Sequence, residues 1–148
     1  MALPATAIRV KRSTGEKINE RIQKETENSV AYCAAQGPHE IEKRLRELDR
    51  EWDIERAIEA NASFLAITGV VLGATVKKSW LLLPVAVMGF LFQHSLQGWC
   101  PPVPLLRRLG YRTAQEIESE RYALKLLRGD FERYKGAEAR EALRAAAR

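Results

Sequence analysis

Two uncharged apolar runs, Ala62–Val76 and Ser79–Phe92, stand back to back with only Lys77 and Lys78 between them. The first carries no polar side chain apart from Ser63, Thr68 and Thr75. Both runs are apolar on every side, whereas a helix resting on a soluble core shows a single apolar stripe. A spanning helix needs about 20 apolar residues, and runs of about 10–14 are more often core or re-entrant segments. Taken strictly, each run falls short. Extended backwards through Asn61, Ala60, Ile58 and Ala57, and forwards through Leu96 to Val103, each approaches spanning length with its polar groups in the headgroup zone. A turn this short permits only antiparallel helices. The favoured reading is a membrane hairpin, and the alternative is a hairpin buried in a soluble helical bundle.

Small residues fall on one face of the first helix: Ala62, Ala66, Gly69 and Gly73. Gly69 and Gly73 form a small-xxx-small pair, which lets two helix backbones approach closely in lipid. Ala86 and Gly89 offer a groove on the second helix. The partner of this face is either the neighbouring helix or another protomer. Because lipid gives helices no hydrophobic drive to associate, a homo-oligomer held by the Gly69/Gly73 face is expected. Ser79 is a candidate N-cap, Trp80 an interface anchor, and Pro84 makes the second helix start late or kink.

The remainder is charge-rich. Charged residues make up 29% of the chain and the mean hydropathy is −0.30, so the membrane signal lies in segregation and not in the average. The net charge is +5, but acidic and basic residues interleave in both arms. That excludes a dedicated basic stripe for nucleic acid. Cys33 and Cys100 form no CxxC or metal spacing, His39 and His94 are isolated, and no cofactor is expected. Met1–Val10 breaks at Pro4, unlike a cleavable signal peptide.

Along the chain, residues 1–12 read as a disordered leader and 13–59 as a helical cytoplasmic arm. Residues 60–104 read as the membrane hairpin (about 60–76 and 79–98), and 105–148 as a helical C-terminal arm. Ser13-Thr14-Gly15-Glu16 fits a capping box, opening a helix that runs towards Tyr32. Gln36-Gly37-Pro38 stops it and starts the next. From there Ile41, Leu45, Leu48 and Trp52 form an apolar stripe, with Glu40–Arg44 and Glu42–Arg46 as supporting ion pairs. Charges of both signs flank this stripe, so pairing with the Thr113–Arg128 arm or a second protomer is expected over adsorption to anionic lipid. Nothing visibly interrupts this helix before Ala62, so one long helix is expected to carry the amphipathic half into the first membrane segment. Beyond the hairpin, Pro101, Pro102 and Pro104 force an irregular exit. Thr113-Ala114-Gln115-Glu116 is a second capping box, opening a helix that Gly129 closes. Residues 137–148 read as fraying helix.

The fold class is therefore all-α: a transmembrane helical hairpin with a long amphipathic N-terminal helix and a helical C-terminal arm. Lys43, Arg44, Arg46, Arg50 and Arg56 on one flank and Arg107, Arg108 and Arg112 on the other outnumber the two lysines of the turn. The positive-inside rule then puts both termini in the cytoplasm.

The hairpin followed by Gly98-Trp99-Cys100-Pro101 resembles the YgaP-like inner-membrane transmembrane domain family of bacteria over residues 56–110. Residues 111–131 look like the tail of a longer, stand-alone branch. The resemblance implies a small bacterial inner-membrane protein that pairs through its helices. Some members carry a rhodanese domain. This chain has none, so sulfurtransferase activity does not carry over.

Cys100 is the residue with the clearest candidate chemistry. It stands at the end of the second helix beside Trp99, with Arg107 and Arg108 close in sequence, and nearby cations favour the thiolate. In a sulfur-handling family it would pass a persulfide; the plainer reading is a structural cysteine at the membrane border. Trp99, Arg107 and Arg108 also read as interface anchors, the arginines towards lipid phosphates. His94, with Gln93 and Gln97, puts polar groups near membrane depth, where such residues are often functional; solvation at the boundary is the simpler account. No carboxylate pair, Ser/His/Asp set or phosphate loop is present. The functional expectation is a non-enzymatic membrane hairpin whose partners are the lipid bilayer, a second copy of itself or another membrane protein. A sulfur-relay component and a soluble helical adaptor are the alternatives.

Overall fold

The structure, a computed structural model, describes residues 5–132, and every regular element among them is helical. A 3-10 turn (Thr6–Ile8) leads into α1 (Arg9–Arg12), followed by α2 (Glu16–Gln36) and α3 (Pro38–Leu48). Then come α4 (Ile54–Thr75), a second 3-10 turn (Lys78–Leu81), α5 (Leu82–Gln97), α6 (Val103–Arg108) and α7 (Ala114–Arg128). The chain divides into two compact units. Among the described residues the first comprises 5–24 and 52–116, and the second 25–51 and 117–132.

The first unit is built on the α4–α5 hairpin. Gly69 and Gly73 set its packing. A Cβ at Gly69 would stand 2.5 Å from Pro84 Cδ and 3.1 Å from Leu83 Cβ, and one at Gly73 would stand 2.6 Å from Leu81 Cδ2. The small-residue face of α4 is thus filled by the chain's own second apolar segment, leaving no room there for the second protomer expected on it. Ala62 is buried on α4 and Ala66 half-buried. Ala86 and Gly89 do not complete the groove: both are exposed, and nothing lies within 4 Å of the Cβ position of Gly89. The reason is rotational. Leu81, Leu83 and Pro84 occupy the side of the second segment that meets α4.

Pro84 does not kink the helix. The 3-10 turn delays the α-helix to Leu82, so Pro84 sits in the first turn, where backbone N–H groups have no intrahelical partner. Ser79 is not the cap; Lys77, in extended conformation, precedes the turn without a side-chain cap bond.

Where the sequence suggested a disordered leader, residues 6–12 form the first 3-10 turn and α1. Val10 is buried with Ile54, Ile58, Cys100 and Val103. The anchor is Gly98, at φ 71°: a Cβ there would lie 2.5 Å from the Arg9 carbonyl carbon. The hydroxyl of Ser13 donates to the Gln97 carbonyl at 3.0 Å, tying this segment to the end of α5, and that of Thr14 donates to the Val10 carbonyl at 2.7 Å and closes the turn after α1; neither hydroxyl caps α2.

The single long helix expected to run into the hairpin is broken. α3 ends at Leu48, and α4 starts afresh at Ile54, with the carboxylate of Asp53 accepting from the Arg56 amide at 2.7 Å. Trp52 falls in this break, with Arg56 stacked 4.5 Å from its ring, and is absent from the core of the second unit. That core joins Cys33, Ile41, Leu45 and Leu48 to Ile117 and Leu124. The apolar stripe of α3 therefore packs on α7 within one chain. Gly37, at φ 95°, separates α2 from α3 with Pro38 at the first helical position. Glu42–Arg46 forms at 2.8 Å, but Glu40 takes Lys43 at 2.9 Å because Arg44 turns to the buried Glu120. Residues 1–4 and the expected fraying helix over 137–148 lie outside the described residues.

Overpacking a tight contact costs about 1–3 kcal/mol. Gly69→Ala should therefore lower the thermal midpoint of the detergent-solubilised protein equally at all protein concentrations, with a smaller loss in a Pro84→Ala background. A loss that vanishes at high concentration would assign the glycine face to an interface between copies.

Candidate functional site

At the end of the hairpin opposite the lysine turn, α4 begins and α5 finishes, which brings Glu55 and His94 together. His94 Nε2 lies 2.5 Å from Glu55 Oε2, and Arg9 Nη2 donates to Glu55 Oε1 at 3.0 Å. His94 is only 4% exposed, and its Nδ1 is buried without a hydrogen-bond partner. Gly98, in the left-handed conformation, ends α5 and turns the chain so that Cys100 comes to lie against the His94 imidazole. The thiol is 2% exposed and belongs to the Val10/Ile54/Ile58/Val103 cluster. Thiol, imidazole and carboxylate thus follow one another, with a guanidinium behind the carboxylate.

Beside Cys100 lies a cavity of about 380 Å³. Its walls are Ile58, Ala62, Leu65, Leu91 and Leu106, with Asn61 among them as the polar side chain. Among the described residues no group of three or more His, Cys, Asp or Glu side chains is placed to hold a metal ion.

Arg107, expected at lipid phosphates, is 0% exposed. It forms a two-pronged pair with Glu116, Nη1 to Oε2 at 2.6 Å and Nη2 to Oε1 at 2.9 Å. Its remaining bonds go to the Tyr111 carbonyl at 3.0 Å and to Asn19 Oδ1 at 2.9 Å. Glu116 is also the reciprocal partner in the Thr113 capping box: the Thr113 amide donates to Oε2 at 2.8 Å, and the Glu116 amide donates to Thr113 Oγ1 at 3.2 Å. The arginine is spent on structure, so it does not act as the cation beside Cys100 that the sequence suggested. Arg108 is exposed, as are Trp80 at 44% and Trp99 at 37%. Cys33 is buried in the second unit, and burial pushes its thiol up, away from reactivity.

Sequence reasoning singled out His94 and Cys100 separately and missed Glu55 and Arg9. The signal for Glu55 was its position two residues after the Asp53 cap. Arg9 carried no signal, since its place depends on Gly98. No family model, curated protein or solved structure matches this chain.

Burial alone would raise the Glu116 carboxyl, but the Arg107 guanidinium and the Thr113 groups outweigh it and hold it below the ordinary range. A carboxylate lowered on folding adds stability that is complete above its unfolded value, about 4.3, and is lost as pH falls through the folded one. Glu116→Gln should cost about 3–5 kcal/mol at pH 7, because it leaves Arg107 buried without its counter-charge. Its unfolding midpoint should also fall less steeply than that of the unmodified protein below pH 5. Parallel pH curves would remove Glu116 from this role.

Proposed function

We propose that this chain is a small bacterial inner-membrane hairpin protein, a structural or accessory subunit with helical arms on the cytoplasmic side. The observation that carries the reading is the exposure of the hairpin's apolar surface. Ile54–Thr75 and Lys78–Gln97 are long and apolar enough to cross a bilayer, yet only 28% of the first span's window and 6% of the second's is buried. Phe64, Ile67, Leu82, Val85 and Phe92 are each more exposed than not. Soluble proteins rarely expose contiguous apolar patches of more than a few hundred Å². At 1.5 Å per residue the 22-residue α4 spans roughly 33 Å, against about 30 Å of hydrocarbon. A soluble adaptor with a buried hairpin would cover these side chains with its own arms.

The same surface leaves assembly, with a second copy or a membrane partner, to the outer face of α5, where Ala86 and Gly89 are exposed. The basic flanks of the hairpin favour cytoplasmic termini and a periplasmic Lys77–Lys78 turn. A second reading, thiol chemistry at Cys100, is favoured by the His94–Glu55 pair beside it.

Expressed in bacterial cells, the protein should stay in the membrane pellet after carbonate washing and leave it only with detergent. In a Cys33→Ser/Cys100→Ser background, Ser79→Cys should label with an impermeant maleimide in intact cells, and Ala5→Cys only after permeabilisation. Release by carbonate would reject the membrane assignment, and the reverse labelling pattern would invert the topology.

A further inference from the structure

The geometry points to an acyl-thioester site at the base of the hairpin, with Cys100 as nucleophile, His94 as its base, Glu55 as the positioning residue, and the adjoining cavity holding a long hydrocarbon chain. The inference rests on the membrane reading for the source of its ligand and on four observations for the site.

First, the imidazole is oriented. Its Nε2 is held by Glu55 Oε2 at 2.5 Å, which leaves Nδ1 as the nitrogen turned to a second group. Nδ1 is the atom found buried and without a partner. Second, the orienting carboxylate is itself fixed, since Arg9 holds its other oxygen at 3.0 Å. Third, the thiol lies against the same imidazole, giving the nucleophile–base–orienter order of covalent catalysis. Fourth, Cys100 forms part of the wall of a cavity in the size range of small-molecule sites, lined mostly by apolar side chains of α4, α5, α6 and the Cys100–Pro102 link. A cysteine serving only to fill space needs neither a base with a free nitrogen nor a cavity beside it.

The ligand must be apolar along its length and carry, at one end, a carbon that a thiol can attack. A long-chain acyl thioester meets both demands. Cys100 Sγ attacks the carbonyl carbon while its proton passes to His94 Nδ1. The tetrahedral intermediate collapses with cleavage of the donor's carbon–sulfur bond, and the departing thiolate takes the proton back from Nδ1. The products are S-acyl Cys100 and the free donor thiol, with no change of oxidation state. Glu55 accompanies the imidazolium while it lasts. Asn61, already donating to the Ala57 carbonyl at 2.7 Å, retains a second N–H on the cavity wall for a carbonyl oxygen.

The test uses the full-length protein in lipid nanodiscs, incubated with palmitoyl-CoA or acetyl-CoA and read by intact-protein mass and peptide mapping. One palmitoyl group should appear on Cys100, removable by neutral hydroxylamine, with Cys33 unmodified and acetyl transfer at least tenfold slower. His94→Gln should slow palmitoylation about 100-fold or more, within the usual range for loss of a general base. Glu55→Gln should change the pH profile of the rate, which a merely structural role would leave in place. Val87→Trp, filling the cavity, should abolish the preference for the long chain while Cys100 still reacts with iodoacetamide. Each variant is checked for carbonate resistance and helical content before it is compared. No adduct on Cys100, an unchanged rate in His94→Gln, or equal rates for both donors would overturn the proposal. Acylation of a protein that carbonate releases would instead reject the membrane reading and leave the site standing. An integral protein that is not acylated would reject the site alone.

Discussion

At Gly69 and Gly73 the backbone of α4 meets the second apolar segment more closely than any side chain permits. Pro84 Cδ and Leu81 Cδ2 stand only 2.5 and 2.6 Å from where the two Cβ atoms would be. Under the proposed membrane reading such a contact matters more than it would in water, because association in lipid depends on van der Waals contact and not on expelling solvent. The contact fixes the rotation of one segment against the other near the lysine turn. With the rotation set, the opposite ends of the two helices have a defined register, and Glu55 and His94 face each other there. Glycine is required at these positions for the space it leaves; Gly98, by contrast, is required both for space and for its positive φ.

Below the hairpin, polar contacts take over. Arg107 ties α6 to the start of α7 through Glu116 and to α2 through Asn19, and it is wholly buried in doing so. A guanidinium removed from water needs this density of partners to remain charged. The second unit uses the same device on its own terms. Glu120, also buried, receives Ser29 Oγ at 2.7 Å and Arg44 Nε at 2.9 Å, beside the aliphatic core of α3 and α7. Both arms are therefore specified by buried ion pairs as well as by apolar stripes.

The helical class, the two long apolar helices, the Gly37–Pro38 break, the Thr113–Glu116 capping box and the Gly129 stop were all legible, because each depends on residues close in sequence. What stayed illegible has particular causes. The break before α4 was missed because charged residues run through it without a glycine or proline to mark a stop, although Asp53 ahead of Ile54 is an ordinary N-cap residue. The fold of the N-terminal segment was invisible because it depends on Gly98, some ninety residues away. Arg107 looked like a membrane-facing cation since pattern alone does not separate a basic residue aimed at phosphate from one aimed at a capping glutamate. The site was half legible: His94 and Cys100 stood out by type, but their relation to Glu55 follows from helix register, which no local pattern encodes.

The central claim is that Gly69 and Gly73 close the hairpin within one chain and do not join two copies. It is tested most directly by Gly73→Cys with Leu81→Cys in a Cys33→Ser/Cys100→Ser background, oxidised in native membranes. The Cβ position of residue 73 lies 2.8 Å from Leu81 Cγ, so a sulfur at 81 comes within disulfide reach. The account predicts near-complete cross-linking that runs as a monomer on a non-reducing gel, independent of expression level. A cross-linked dimer, or none at all, would contradict it.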